Sequence, residues 1–268
     1  MVGETSHGNE GPAHREAEVI VLAAGLRTGI RIVPLTRSLA RRPAVVGAEV
    51  AVTARLVDQL PLARSLVVVV PPEIPASSCV LPPVALPGAA VTVTVTRPSP
   101  APHGPGGTLS MYNQHAEALP EAFVEAVAAA RRCGLVTPVG NVVLLLQEFV
   151  PTVASAVVRA TADTVRIEGR WGLAEQRSAA DVFEVSADGP VSETLARKPT
   201  ASLAAAGGTH TVPMPDERQH RSSLGQGTIR QLAALSREAA VTTGLALSLD
   251  IVLGDREPVV LRCRPSTA

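Results

Sequence analysis

The chain has 268 residues, a formal net charge of +0, 46% hydrophobic and 18% charged residues, the balance of a globular chain long enough to bury a real core in one or two domains. The even charge excludes the basic footprint of a nucleic-acid binder. At 2% aromatic residues, carried by Trp171, Tyr112, Phe123, Phe149 and Phe183, recognition built on stacked rings is excluded too.

Residues 1–17 read as a polar, flexible tail with no apolar core of a secretory signal. EVIVLAAG (18–25) predicts a strand, the segment from Ile32 to Arg42 a helical stretch, and PAVVGAEVAVTARLVDQL (43–60) with SLVVVVPP (65–72) a strand-rich region. VTVTVTR (91–97) alternates at period two and predicts a strand that stops at the Pro/Gly loop PSPAPHGPGG (98–107). PEAFVEAVAAARR (120–132) has Pro and Glu in its first turn, arginines in its last and Gly134 beyond, the signals of a helix. NVVLLLQEFV (141–150), ASAVVRA (154–160) and TVRIEGRW (164–171) predict strands, residues 187–215 loops, and TIRQLAALSREAAVTTG (228–244) an amphipathic helix. The closing stretch LDIVLGDREPVVLRCRP (249–265) reads as a hairpin, in which Arg262 and Arg264, two apart, project from one face.

Cys79, Cys133 and Cys263 lie far apart and the six histidines are scattered, so no zinc-type site is expected. Apolar runs such as VVLLLQEFV are too short to span a bilayer, and a cytoplasmic protein is expected, with no membrane or nucleic-acid partner. Mixed strands and helices without regular βαβ alternation predict an α+β fold in two lobes.

In chain order, NVVLLLQEFV, ASAVV, RIEGRWGLAE (166–175), the sole lysine Lys198, PMPDERQ (213–219), a helix and DIVLGDREPVVLRCRP resemble one family. It is the ATP-grasp nucleotide-binding domain of phosphoenolpyruvate synthase, pyruvate phosphate dikinase and rifampicin phosphotransferase, whose members carry QEMV, SGVxFT, EAxWGLGE, DIEWA and LQARP in that order. Upstream, VTVTVTRPS stands where the family has VRSS, GPGGTL where it has a glycine-rich loop, and TGIRIVPLTRSLA lays Arg31 on the phosphate lysine. The resemblance implies an ATP-grasp-like fold of two α+β lobes around a cleft, residues 18–140 and 141–268. It places Gln147, Glu148 and Val150 beside an adenine, and Arg97 and Arg264 within reach of phosphates.

The departures point elsewhere. Val252 occupies the position of a magnesium-ligating glutamate, and valine has no oxygen for a hard cation. Arg262 stands where the family has glutamine. Phosphoryl transfer depends on metal and preorganised charge, so its loss is expected, with no metal and no cofactor. The scaffold is then read as repurposed in secondary metabolism. Arg31, Arg97, Arg262 and Arg264 bind the anionic head of a small molecule, Val252 meets its apolar body, and Glu175 and Asp250 act as acid or base in a cyclisation or rearrangement. Two alternatives stay open: a phosphotransferase component that uses ATP and magnesium with separate subunits, and a non-catalytic binding module. The arginines also have a purely structural reading, as ion-pair partners of Glu168 or Glu148, and Trp171 one as core packing.

Overall fold

The computed structural model describes residues 29–81, 90–96, 110–173, 179–187, 189, 191–205, 208–254 and 257–266. The predicted tail and first strand (18–25), the loop at 98–107, Arg97 and Glu175 lie outside them.

The first sheet is antiparallel throughout, in the order β1 (Arg31–Pro34), β2 (Ser65–Val70), β5 (Val142–Glu148), β3 (Ala90–Val95) and β4 (Ser110–His115). Helix α2 (Leu119–Arg132) lays Phe123, Ala126, Val127 and Ala130 against one face, over Val68, Val93 and Leu144. The segment predicted as helical from Ile32 starts instead as β1, because Ile32 joins that core; Pro34 ends the strand, and only Arg37–Arg41 forms a 3-10 turn.

The other face is covered by α1 (Pro43–Arg55), a helix where the sequence predicts strands. Pro43 opens it, and Gly47, at φ 80° and ψ 161°, breaks its first turn. Its valines sent the wrong signal because the helix is buried on two sides, so neither helical nor strand periodicity is visible. Val46, Val50 and Ala54 pack on Val67, Val69 and Leu145 of the first sheet. Val52 and Leu56 pack into the core of the second.

That second sheet is also antiparallel, in the order β13 (Val259–Pro265), β12 (Leu247–Leu253), β6 (Ala154–Ala160), β7 (Thr164–Trp171), β8 (Asp181–Ser186) and β9 (Val191–Thr194). After the single turn α3 (Asp216–Gln219), helix α4 (Gln226–Thr243) packs Ile229, Leu232 and Ala239 on one face, over Ala156, Ile167, Phe183 and Leu249. Residues 187–215, expected as loops, hold β9 and the ribbon of β10 (Thr200–Ala205) and β11 (Gly208–Pro213). The strands escaped notice because β9 and β11 are largely exposed and carry no alternating apolar pattern. The ribbon reaches the edge of the first sheet, where the Asn113 amide on β4 donates to the carbonyl of Ala205.

The division between sheets falls between Glu148 and Ala154 rather than at 140/141: β5 is the central strand of the first sheet, not the opening strand of a second lobe. The sheets are nevertheless stitched together. The outer edge of β13, which would otherwise offer unpaired backbone groups, is closed by Val260 N–H to Pro61 O at 2.8 Å, Ala63 N–H to Val260 O at 3.0 Å, and the Thr53 hydroxyl, which donates to Cys263 O at 2.7 Å and accepts from Cys263 N–H at 3.1 Å. Among the described residues no helix is long and apolar enough to cross a membrane.

Where β7 ends, Gly172 bridges to Ser202 of β10 with φ +69°, and a Cβ there would stand 2.1 Å from the Ser202 carbonyl oxygen. Gly172→Ala is expected to cost about 3 kcal/mol, from left-handed strain and backbone overlap together. Urea denaturation checks it: the midpoint falls while the slope stays unchanged.

Candidate functional site

Residues on β12 alternate across its two faces. Leu247, Leu249 and Ile251 enter the core beneath α4, which leaves Ser248, Asp250 and Val252 on the opposite face. Pairing puts Arg262 beside Asp250 and Arg264 beside Ser248, while Cys263 between them turns into the core. Burial pushes that thiol up to about 12, so Cys263 is no nucleophile.

The two guanidiniums converge on one carboxylate. Arg262 Nε donates to Asp250 Oδ2, and Arg264 donates through Nη2 to Oδ1 at 3.2 Å and through Nη1 to Oδ2 at 3.5 Å. Arg262 Nη1 also lies 3.7 Å from Oε1 of Glu49, a carboxylate on α1 that is 1% exposed. Burial acts to raise the Asp250 carboxyl, but Arg262 and Arg264 outweigh it and hold the group below the usual carboxylate range. For Arg262, burial acts downward, and Asp250, Glu49 and the nearby Tyr112 outweigh it. A carboxylate held ionised in this way is poorly suited to give up or take a proton near neutrality.

The same face continues outward as a ladder. Arg159 Nη1 meets Glu168 Oε1 at 2.5 Å, Arg170 Nη2 meets Oε2 at 3.2 Å, and Arg166 Nη1 meets Glu184 Oε1 at 2.8 Å. Burial acts to raise Glu168; its hydrogen bonds and charge contacts with Arg159 and Arg170 bring it below its ordinary value.

The structure thus brings Asp250, Val252, Arg262 and Arg264 onto one face of one hairpin. The structural reading of the arginines holds with different partners: Asp250 and Glu49 take them, and Glu168 serves Arg159 and Arg170. The cluster therefore balances two guanidiniums against two carboxylates and is not the purely cationic lining that the sequence suggests. Val252, 3% exposed, pairs with Ser155 and Val259.

Arg31 is not part of this group. It is exposed at the start of β1, in register with Val69 and hence Val143. That is four rungs along and two strands across from Gln147, about 16 Å by strand spacing. Gln147 is buried and ties the sheets together, its Nε2 donating to Leu261 O at 2.5 Å and to Ser65 Oγ at 2.9 Å. Glu148 is half-buried, with its backbone N–H on Arg64 O at 3.1 Å. Val150, also half-buried, accepts the Thr152 hydroxyl at its carbonyl, 2.7 Å away.

Sequence reasoning missed two buried partners. Glu49 carried a signal, a lone carboxylate inside the apolar run VVGAEVAV. Lys198, noticed only as the sole lysine, is 1% exposed and donates to the fully buried Asp181.

Among the described residues, no group of three or more His, Cys, Asp or Glu side chains could hold a metal ion. The residues that the sequence resemblance would lay on a magnesium position do not suit one either: Val252 offers no oxygen, and both oxygens of Asp250 accept from guanidiniums.

No family model and no curated protein matches the chain. Among solved structures, D-alanine–D-alanine ligase from Bacillus anthracis is similar at 7% identity and a TM-score of 0.31, over 65% of this chain and 44% of that one. The ATP-grasp ligase PsnB, complexed with a minimal precursor, is similar at 17% identity and a TM-score of 0.33, over 85% of this chain and 54% of that one. The macrocyclase MdnC from Microcystis aeruginosa MRC, bound with precursor peptide MdnA, is similar at 8% identity and a TM-score of 0.27, over 96% of this chain and 54% of that one. The chain spans about half the length of these proteins. The chain is a mixed α+β protein of two large antiparallel sheets, stitched across α1, and a two-stranded ribbon, with a neutralised guanidinium–carboxylate cluster at the seam.

Proposed function

We propose that the chain is an ATP-grasp-like scaffold that has given up magnesium-dependent phosphoryl transfer. It binds a small, partly apolar, anionic metabolite beside the closing hairpin and promotes its cyclisation or rearrangement by holding a reactive conformer. The order of sequence motifs supports the scaffold, and the observation that carries the loss of phosphoryl transfer is the state of Asp250. Both its oxygens are engaged by Arg262 and Arg264, and the next residue on that face is Val252. Val252 has no oxygen for magnesium, and the charge of Asp250 is already balanced by the guanidiniums. Arg264, a quarter exposed at its side chain, is the group on this face placed to meet a ligand while Arg262 stays committed beneath it.

Thermal unfolding with ATP, with and without magnesium, tests this reading. Binding to the native state must raise apparent stability, so the expected result is no magnesium-dependent rise. A saturable, magnesium-dependent stabilisation overturns it in favour of a phosphotransferase component working with other subunits.

A further inference from the structure

We propose a second small-molecule site, on the opposite face of the second sheet from Asp250, that takes a compact aromatic or alicyclic amine. A cavity of about 630 Å³ opens there, where β6, β7, β12 and the residues just before β13 meet the start of α4, within the size range of small-molecule pockets. Its lining includes Ala154, Leu224 and Leu253, all part of or packed on the core beneath α4. Leu253 lies on the core face of β12, so this cavity and the Asp250 cluster are separated by the thickness of the sheet.

One wall is Trp171, the only tryptophan in the chain. Its ring is held in place: Nε1–H donates to the Arg218 carbonyl at 3.4 Å, and the Arg218 guanidinium lies 5.9 Å from the ring centroid. A fixed indole beside an apolar floor suits a ring. Among the described residues, Glu257 is the sole charged one lining the cavity; it is exposed and forms no ion pair with a described residue. An apolar body therefore fits with a cationic group that meets this carboxylate at the rim and gains from the indole face. Gly225 and Thr228 bring the N-terminus of α4 to the same rim, and its partial positive charge attracts anions. The full charge of Glu257 opposes that partial one and selects the amine.

Because Trp171 is the single indole, its emission reports this cavity. The full chain is titrated at neutral pH with 2-phenylethylamine, with 3-phenylpropionate as the charge-reversed match. A saturable change in Trp171 emission is expected with the amine and none with the acid. Glu257→Gln weakens amine binding by about threefold, the scale of one exposed ion pair. Thr228→Phe, which fills the cavity from its rim, abolishes the response while circular dichroism melting confirms that the fold is intact. Arg264→Ala leaves the titration unchanged, so the result is independent of the reading of the other face. An unsaturated amine response, binding of the acid as tight as the amine, or retention of binding in folded Thr228→Phe overturns the proposal.

Discussion

Asp181→Ala is expected to lower the free energy of unfolding by about 3–5 kcal/mol, the range for breaking a buried ion pair from one side. The carboxylate is fully buried on β8 and collects four donors. Oδ1 accepts from Lys198 Nζ and from Ala196 N–H at 3.0 Å; Oδ2 accepts from Ser223 N–H at 2.8 Å and Ser223 Oγ at 2.7 Å. Truncation strands an ammonium that is 1% exposed, with only the Ala196 carbonyl at 2.9 Å left to it. It also releases Ser223, which leads into α4 and sits against Gly169, where an added Cβ would be 2.8 Å from Ser223 Oγ. Urea denaturation measures the loss. In the double variant Asp181→Ala, Lys198→Met the deficit is smaller than in Asp181→Ala alone, because no uncompensated charge remains. A double variant as unstable as the sum of its singles would remove the charge from the explanation.

Asp250→Ala is the second large effect, again about 3–5 kcal/mol at neutral pH, because it deprives two buried or partly buried guanidiniums of their shared acceptor. This loss depends on pH in a defined direction. The folded-state pKa of Asp250 lies below its ordinary value, with burial acting upward and the arginines outweighing it. The group's contribution is therefore complete above the unfolded value, about 3.9. It fades as the pH falls through the lower folded value. Wild type and Asp250→Ala should thus differ most near neutrality and converge in strong acid. Urea midpoints measured across that window check the sign, and a gap that widens on acidification would contradict the pairing.

Much of the architecture was legible where one physical signal dominated. The Pro, Glu and arginines around PEAFVEAVAAARR marked α2, and the strands at 65–70, 91–95, 142–148 and 154–171 followed from β-branched runs. Failures came where burial erased periodicity. Helix α1 touches both sheets, so its valines looked like strand, while exposed β9 and β11 had no apolar pattern to read. The hairpin face was legible too, since alternation alone puts Arg262 and Arg264 on one side. Their partners were not: Asp250 is 12 residues from Arg262 in sequence, and Glu49 reaches it from another sheet's helix. Only the family resemblance puts Gln147 beside a ligand, and position along the chain cannot say that its amide spends both donors holding the sheets together.

The clasp between Thr53 and Cys263 has a consequence for synthesis. Its two halves are 210 residues apart, so during translation α1 emerges long before the strand edge it must close. Until then the side of α1 that bears Val52 and Leu56 has no permanent cover and stays open to other chains. Contacts this distant also slow the search for the native arrangement. The yield of folded protein should therefore respond to elongation rate and to chaperone supply more steeply than its finished stability would suggest.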